Sequence, residues 1–126
     1  MGNRYRVLCV DDEIQILHSL ERMLRLREFD VFTASGGHEG LKILSKEHID
    51  VVISDHRMPE MNGSEFLKIV REKYPHTIRI MLTGYNDYES LLKAVREGEI
   101  FRFISKPWSM DELFEVIDSA LCQNKA

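Results

Sequence analysis

The sequence predicts an α/β domain in which five parallel strands alternate with five helices to form a doubly wound sheet. Two observations carry that prediction. Short apolar, β-branched runs recur between stretches whose apolar residues step by three and four, the alternation expected of βα units feeding a parallel sheet with helices on both faces. Several of the runs also end on a carboxylate or close to a lysine, and in such sheets ligands gather outside the carboxyl ends of the strands.

Arg6-Val7-Leu8-Cys9-Val10 is a nearly continuous apolar run stopped by Asp11-Asp12, which suits a strand covered on both faces. Beyond Glu13, the apolar residues Ile14, Leu17, Leu20 and Met23 or Leu24 define one side of an amphipathic helix, with Glu21, Arg22 and Arg25 on the other. Val31-Phe32-Thr33-Ala34 is the second strand and Gly36-Gly37 a turn. Leu41 and Leu44 are the inner face of the second helix. Val51-Val52-Ile53-Ser54 is the most strongly β-branched run, hence a central strand, and it ends at Asp55.

Met58-Pro59-Glu60-Met61-Asn62-Gly63 is turn chemistry, with positive φ expected at Asn-Gly. Ser64 is expected to cap the third helix, whose Phe66, Leu67 and Val70 face inward before Tyr74-Pro75 stops it. Arg79-Ile80-Met81-Leu82-Thr83 forms the fourth strand, ended by Gly84. The alternating run Ile100 to Ser105 forms the fifth. Asn86 with Glu89, and Ser109 with Glu112, have capping-box form at the starts of the fourth and fifth helices.

Composition narrows the function. A chain of 126 residues, 44% hydrophobic, suffices for one compact domain over residues 1–126. The net charge of −4, with Lys and Arg dispersed among the acids, offers no basic stripe and disfavours direct nucleic-acid binding. Cys9 and Cys122 have neither metal-ligand spacing nor a disulfide framework, which fits a reducing compartment. The N-terminus lacks a signal-peptide core and no apolar stretch is long enough to span a bilayer, so the expected location is the cytoplasm, with no membrane association. The polar tail over residues 122–126 reads either as a natural terminus or as a lead into an output domain.

The strand ends then stand out together: Asp11-Asp12, Asp55, Thr83-Gly84 and Lys106-Pro107 should converge on one edge. Three carboxylates that close repel one another unless a cation compensates them. A hard divalent ion with oxygen ligands, Mg²⁺ or alternatively Mn²⁺, answers that need and leaves positions for water and a phosphoryl oxygen. An ionised Asp55 can attack phosphorus. Metal, Lys106 ammonium and Thr83 hydroxyl can each take one equatorial oxygen, while Gly84 leaves the approach open. Taken singly, Asp11-Asp12 also suits a helix cap, Thr83-Gly84 a turn, and Trp108 a hydrophobic staple for the fifth helix. Met58, Met61 and Met81 read as packing, and His18, His38, His48, His56 and His76 as surface residues.

Four segments match a known signature jointly: Val10-Asp11-Asp12-Glu13, Ser54-Asp55-His56-Arg57-Met58-Pro59-Glu60-Met61-Asn62-Gly63, Leu82-Thr83-Gly84 and Ser105-Lys106-Pro107. Through them the chain resembles the receiver domain of a two-component response regulator, from Val7 to about Leu121. The resemblance implies a flavodoxin-like sheet of order 2-1-3-4-5. It also implies phosphoryl transfer to Asp55 from the phosphohistidine of a sensor histidine kinase or a phosphotransfer protein. Mg²⁺ would be held by Asp11, Asp12, Asp55 and the Arg57 carbonyl. Lys106 would pair with the phosphoryl group, Thr83 would move toward it, and Phe103, otherwise a core residue, would be the switching aromatic. The face of the fourth helix, fifth strand and fifth helix would report to an output domain or effector, or to a second copy in a phosphorylation-dependent homodimer.

Arg57 and Tyr85 occupy positions that set phosphoryl lifetime in this family, and their bulk implies slow autodephosphorylation without turnover of an external substrate. The stretch from Glu97 to Trp108 is similar to receivers joined to enzymatic output domains, including cyclic-dinucleotide phosphodiesterases and hydrogenase-type transcriptional regulators. Two rivals share the architecture. A Mg²⁺-dependent phosphoaspartate-type hydrolase needs a second acid two residues after its nucleophile, where Asp55 has Arg57 and Asp11 has Glu13. A flavin carrier needs a Ser/Thr/Gly-rich phosphate loop where this chain has Asp-Asp-Glu.

Overall fold

A computed structural model describes residues 4–84, 88–97 and 100–124; for residues 88–91 and 123–124 the description covers the backbone only. The elements run β1 (Arg6–Val10), α1 (Ile14–Arg25), β2 (Asp30–Ala34), α2 (Gly37–Lys46), β3 (Val51–Asp55), α3 (Gly63–Lys73), β4 (Ile78–Thr83), α4 (Tyr88–Arg96), β5 (Arg102–Ser105) and α5 (Met110–Asn124). All strand pairs are parallel and the order is β2-β1-β3-β4-β5.

The pleat sorts the strand residues between two cores, since successive side chains point to opposite faces. Val7, Cys9, Val51, Ile53, Ile80 and Leu82 join Leu17, Leu20 and Leu24 of α1 and Leu113, Val116 and Ile117 of α5 on one face. On the other, Leu8, Val10, Val52 and Met81 meet Leu44 of α2 and Phe66, Leu67 and Val70 of α3, with Ala94 and Val95 of α4 packed alongside. Both faces are dry. That is why these strands read as unbroken apolar runs.

Four local expectations are corrected. Ile14 is 62% exposed, because it is the first residue of α1 and the helix meets the sheet only one turn later, at Leu17. Gly36 and Gly37 do not form a free turn: Gly36 is the N-cap of α2 and Gly37 its buried first residue. Asn62, not Ser64, caps α3, accepting from the Glu65 amide at 2.9 Å while the Glu65 carboxylate accepts from the Asn62 amide at 3.0 Å. Positive φ falls on Glu60, at 68°, rather than on Asn62-Gly63.

The Ser109–Glu112 box at the start of α5 is present, with reciprocal bonds of 3.0 and 3.1 Å, whereas Asn86 lies outside the described residues. Trp108 packs against the cluster containing Leu113, as a staple does. Four of the five histidines are exposed and His56 is half-buried. Among the described residues, no helix is long and apolar enough to cross a membrane.

Register positions the strand ends. Val10 pairs with Ser54, which sets Asp11 level with Asp55. Asp55 pairs with Leu82, and Thr83 with Ser105, so Thr83 and Lys106 follow directly.

Candidate functional site

Asp11 is wholly buried, Asp55 and Thr83 nearly so, and Asp12, Glu13, Arg57 and Gly84 are exposed at the rim. Asp12, Glu13, Asp55, Arg57, Gly84 and Lys106 line an open cleft at the carboxyl edge of the sheet. One carboxylate oxygen from each of Asp11, Asp12 and Asp55 lies within 4.8 Å of the others. Lys106 reaches in from the end of β5, its Nζ 2.9 Å from Asp55 Oδ1 and 3.6 Å from Asp11 Oδ2.

The backbone fixes these groups before any side chain acts. The Asp11 amide donates to the Ala34 carbonyl at 3.1 Å, His56 to Leu82 at 3.0 Å, and Lys106 to Thr83 at 2.6 Å, which extends the ladder past the last paired residues. Gly63 closes the loop after β3: its amide donates to the His56 carbonyl at 2.7 Å. A Cβ at Gly63 would collide with the Asp55 carbonyl oxygen and come within 2.9 Å of His56 Cα. The glycine therefore serves close approach rather than an unusual φ.

Electrostatics mark the cluster as a cation site. Burial pushes the Asp11 carboxyl up to about 6; the Glu13 amide, donating to Oδ1 at 2.9 Å, pulls the other way, and the neighbouring Asp55 charge raises it again. Asp11 Oδ2 is buried with no hydrogen-bond partner among the described residues, Lys106 Nζ standing off at 3.6 Å. A buried anionic oxygen left so is costly unless a cation meets it. Three hard carboxylate donors and an orphaned oxygen fit Mg²⁺. Burial works against the charge on Lys106, but its bond to Asp55 and the charges of Asp11, Asp55 and Glu13 outweigh that and raise its pKa. Lys106 is thus an ammonium at neutral pH.

Of the residues singled out from sequence, Asp11, Asp12, Asp55 and Lys106 come together, and Thr83 lies buried beside them at the end of β4. Arg57 lines the cleft. Phe103 is half-buried against the α2–α3 core. Tyr85 lies outside the described residues. Sequence reasoning passed over two contributors. Glu13 faces the same cleft and helps keep Lys106 charged, a role the run of three acids hinted at. In sequence Gly63 reads as a turn glycine, and its close approach to Asp55 is visible only in three dimensions.

The model of the response regulator receiver domain matches residues 7–118. The chain belongs to that family. This receiver domain is 40% identical over 115 residues to the hydrogenase transcriptional regulatory protein HoxA of Cupriavidus necator, a match covering 91% of the chain and 24% of that protein. It is 34% identical to the DNA-binding transcriptional regulator NtrC of Proteus hauseri, over 91% of the chain and 24% of NtrC. It therefore spans about a quarter of the length of these curated relatives.

Among solved structures it superposes on the signal receiver domain of an HD domain-containing protein from Pseudomonas fluorescens with a TM-score of 0.91 at 35% identity, covering 98% of each chain. The response regulator TrrA of Thermotoga maritima, solved in complex with Mg²⁺-BeF, matches at a TM-score of 0.83 and 32% identity, covering 92% of this chain and 98% of that one. The receiver domain is a phosphoaspartate signalling switch. None of these relationships supports the hydrolase.

Proposed function

We propose that Asp55 is the phosphoacceptor. The observation that carries this reading is its double engagement: Asp55 shares the carboxylate cluster with Asp11 and Asp12 and is 2.9 Å from Lys106 Nζ. Asp11, Asp12, Asp55 and the Arg57 carbonyl would hold Mg²⁺, with Mn²⁺ as a substitute, which would supply positive charge for the phosphoryl oxygens. A carboxylate oxygen of Asp55 attacks the phosphorus of a phosphohistidine on a sensor histidine kinase or phosphotransfer protein. The phosphorus–nitrogen bond breaks, and the imidazole leaves with the bonding pair. Lys106 then pairs with a phosphoryl oxygen, and the exposed backbone at Gly84 leaves the approach clear.

Thr83 moves toward the phosphoryl group and Phe103 follows it, altering the face of α4, β5 and α5 that an effector, an output domain or a second copy reads. Arg57 and Tyr85 slow hydrolysis of the phosphoaspartate. The domain works in the cytoplasm, turns over no external substrate and leaves any DNA contact to its output. The test is incubation with Mg²⁺ and acetyl phosphate, followed by intact mass measurement. Wild type should gain one phosphate-sized increment that Asp55→Asn lacks; no increment, or the same one in both, defeats the assignment.

A further inference from the structure

The loop from His56 to Asn62, which includes Arg57, follows Asp55 at the end of β3, and its footing lies on α2. Gly37 and Gly40, one helical turn apart and both buried, present bare backbone, Gly37 toward the loop and Gly40 toward α3. A methyl group at Gly37 would stand 2.6 Å from Met61 Sδ and 3.2 Å from its Cγ. One at Gly40 would stand 3.0 Å from Phe66 Cζ and 3.3 Å from Val10 Cγ2. The tip of the loop and the first turn of α3 thus rest on two neighbouring seats of the same helix.

Just before Met61 the loop is tightly wound. The Met61 amide donates to the Pro59 carbonyl at 2.7 Å, and Glu60 between them has a φ of 68°. That left-handed conformation is unfavourable for glutamate and persists only where the surroundings hold it. Met58, on the other side, is buried in the α2–α3 core.

We infer that Met61, seated on Gly37, is a positioning residue for the metal site, through which α2 fixes the loop bearing Arg57. The inference rests on the proposal that the Arg57 carbonyl and the three acids hold Mg²⁺. Neither Met61 nor Gly37 is among the residues lining the acidic cleft. Their effect passes through the backbone between Arg57 and Met61, as supporting groups tune a metal site by orienting its ligands.

The test is the Mg²⁺ dissociation constant of the whole chain, measured by titration calorimetry with MgCl₂ for wild type, Met61→Ala, Met61→Leu, Gly37→Ala and Leu44→Ala. Met61→Ala should weaken Mg²⁺ binding about ten-fold, in the range of supporting-group losses. Met61→Leu, which refills the seat, should recover most of it. Gly37→Ala should weaken binding too, although alanine normally favours a helix over glycine. Leu44→Ala empties part of the same core away from the loop and should lower the urea midpoint while leaving the dissociation constant unchanged. Equal affinity of Met61→Ala and wild type, or an equal loss in Leu44→Ala, overturns the inference. Failure of wild type itself to bind Mg²⁺ overturns the metal assignment and this inference with it.

Discussion

Asp11 is where stability and function oppose each other most directly. Its carboxylate is wholly buried, one oxygen lacks a hydrogen-bond partner, and burial lifts its pKa to about 6. Each unit of such a shift corresponds to about 1.4 kcal/mol of preference for the neutral form. Without metal at neutral pH, the ionised side chain therefore weakens the fold it sits in. Asp11→Asn removes the charge and keeps the shape. The variant should unfold at higher urea than wild type in EDTA at pH 7.5, by about 1–2 kcal/mol, and should lose most Mg²⁺ affinity. A lower urea midpoint for Asp11→Asn would show that the Lys106 attraction more than offsets the burial. Asp11 was legible as an acid ending a strand. The environment that makes it costly was not, because burial of an atom depends on residues far away in sequence.

At the scale of elements, every strand was legible to within two residues, as was the capping box of α5, whereas the starts of α2 and α3 were not. Strands covered on both faces need little but apolar side chains, so Val7 to Val10 and Val51 to Ile53 announce themselves. A helix start is decided by one residue's backbone and a pair of hydrogen bonds. Ser64 and Asn62 are both capping types, and the deciding signal was Glu65, three residues after Asn62 and one after Ser64. Ile14 extended the apolar period one step past the point where α1 meets the sheet. The capping box at Asn62 has a measurable consequence. Asn62→Ala leaves the Glu65 amide without its acceptor and should cost about 1 kcal/mol, read as a drop in urea midpoint. Ser64→Ala should cost only a few tenths, since Ser64 is not the cap. The reverse order would return the start of α3 to Ser64.

For the whole molecule, the proposed metal site would link ion binding to folding through the same carboxylates, and the sign of the linkage follows from Asp11. Asp11 has its pKa raised from about 3.8 to about 6 on folding. The native state therefore holds its proton more tightly, and the stability Asp11 lends is fully present below about pH 3.8 and lost as pH rises through about 6. With Mg²⁺ the dependence flattens, because the ion binds the ionised carboxylate and stabilises the native state by RT ln(1 + [Mg²⁺]/Kd) as the proton's contribution is lost. That gain should grow between pH 5 and pH 7.5. Urea unfolding at those two pH values, with EDTA or with about a hundredfold excess of Mg²⁺ over its Kd, separates the terms; saturation at that level is worth about 2.7 kcal/mol. Subtracting the same data for Asp11→Asn removes the other titrating groups, and the difference should fall with pH in EDTA and stay nearly level in Mg²⁺. Parallel slopes under both conditions would mean that the ion does not engage Asp11. A level line in Mg²⁺ beside a falling one in EDTA would mean that the sheet edge is built unstable on its own and is completed by a cation beside Asp55, the proposed phosphoacceptor.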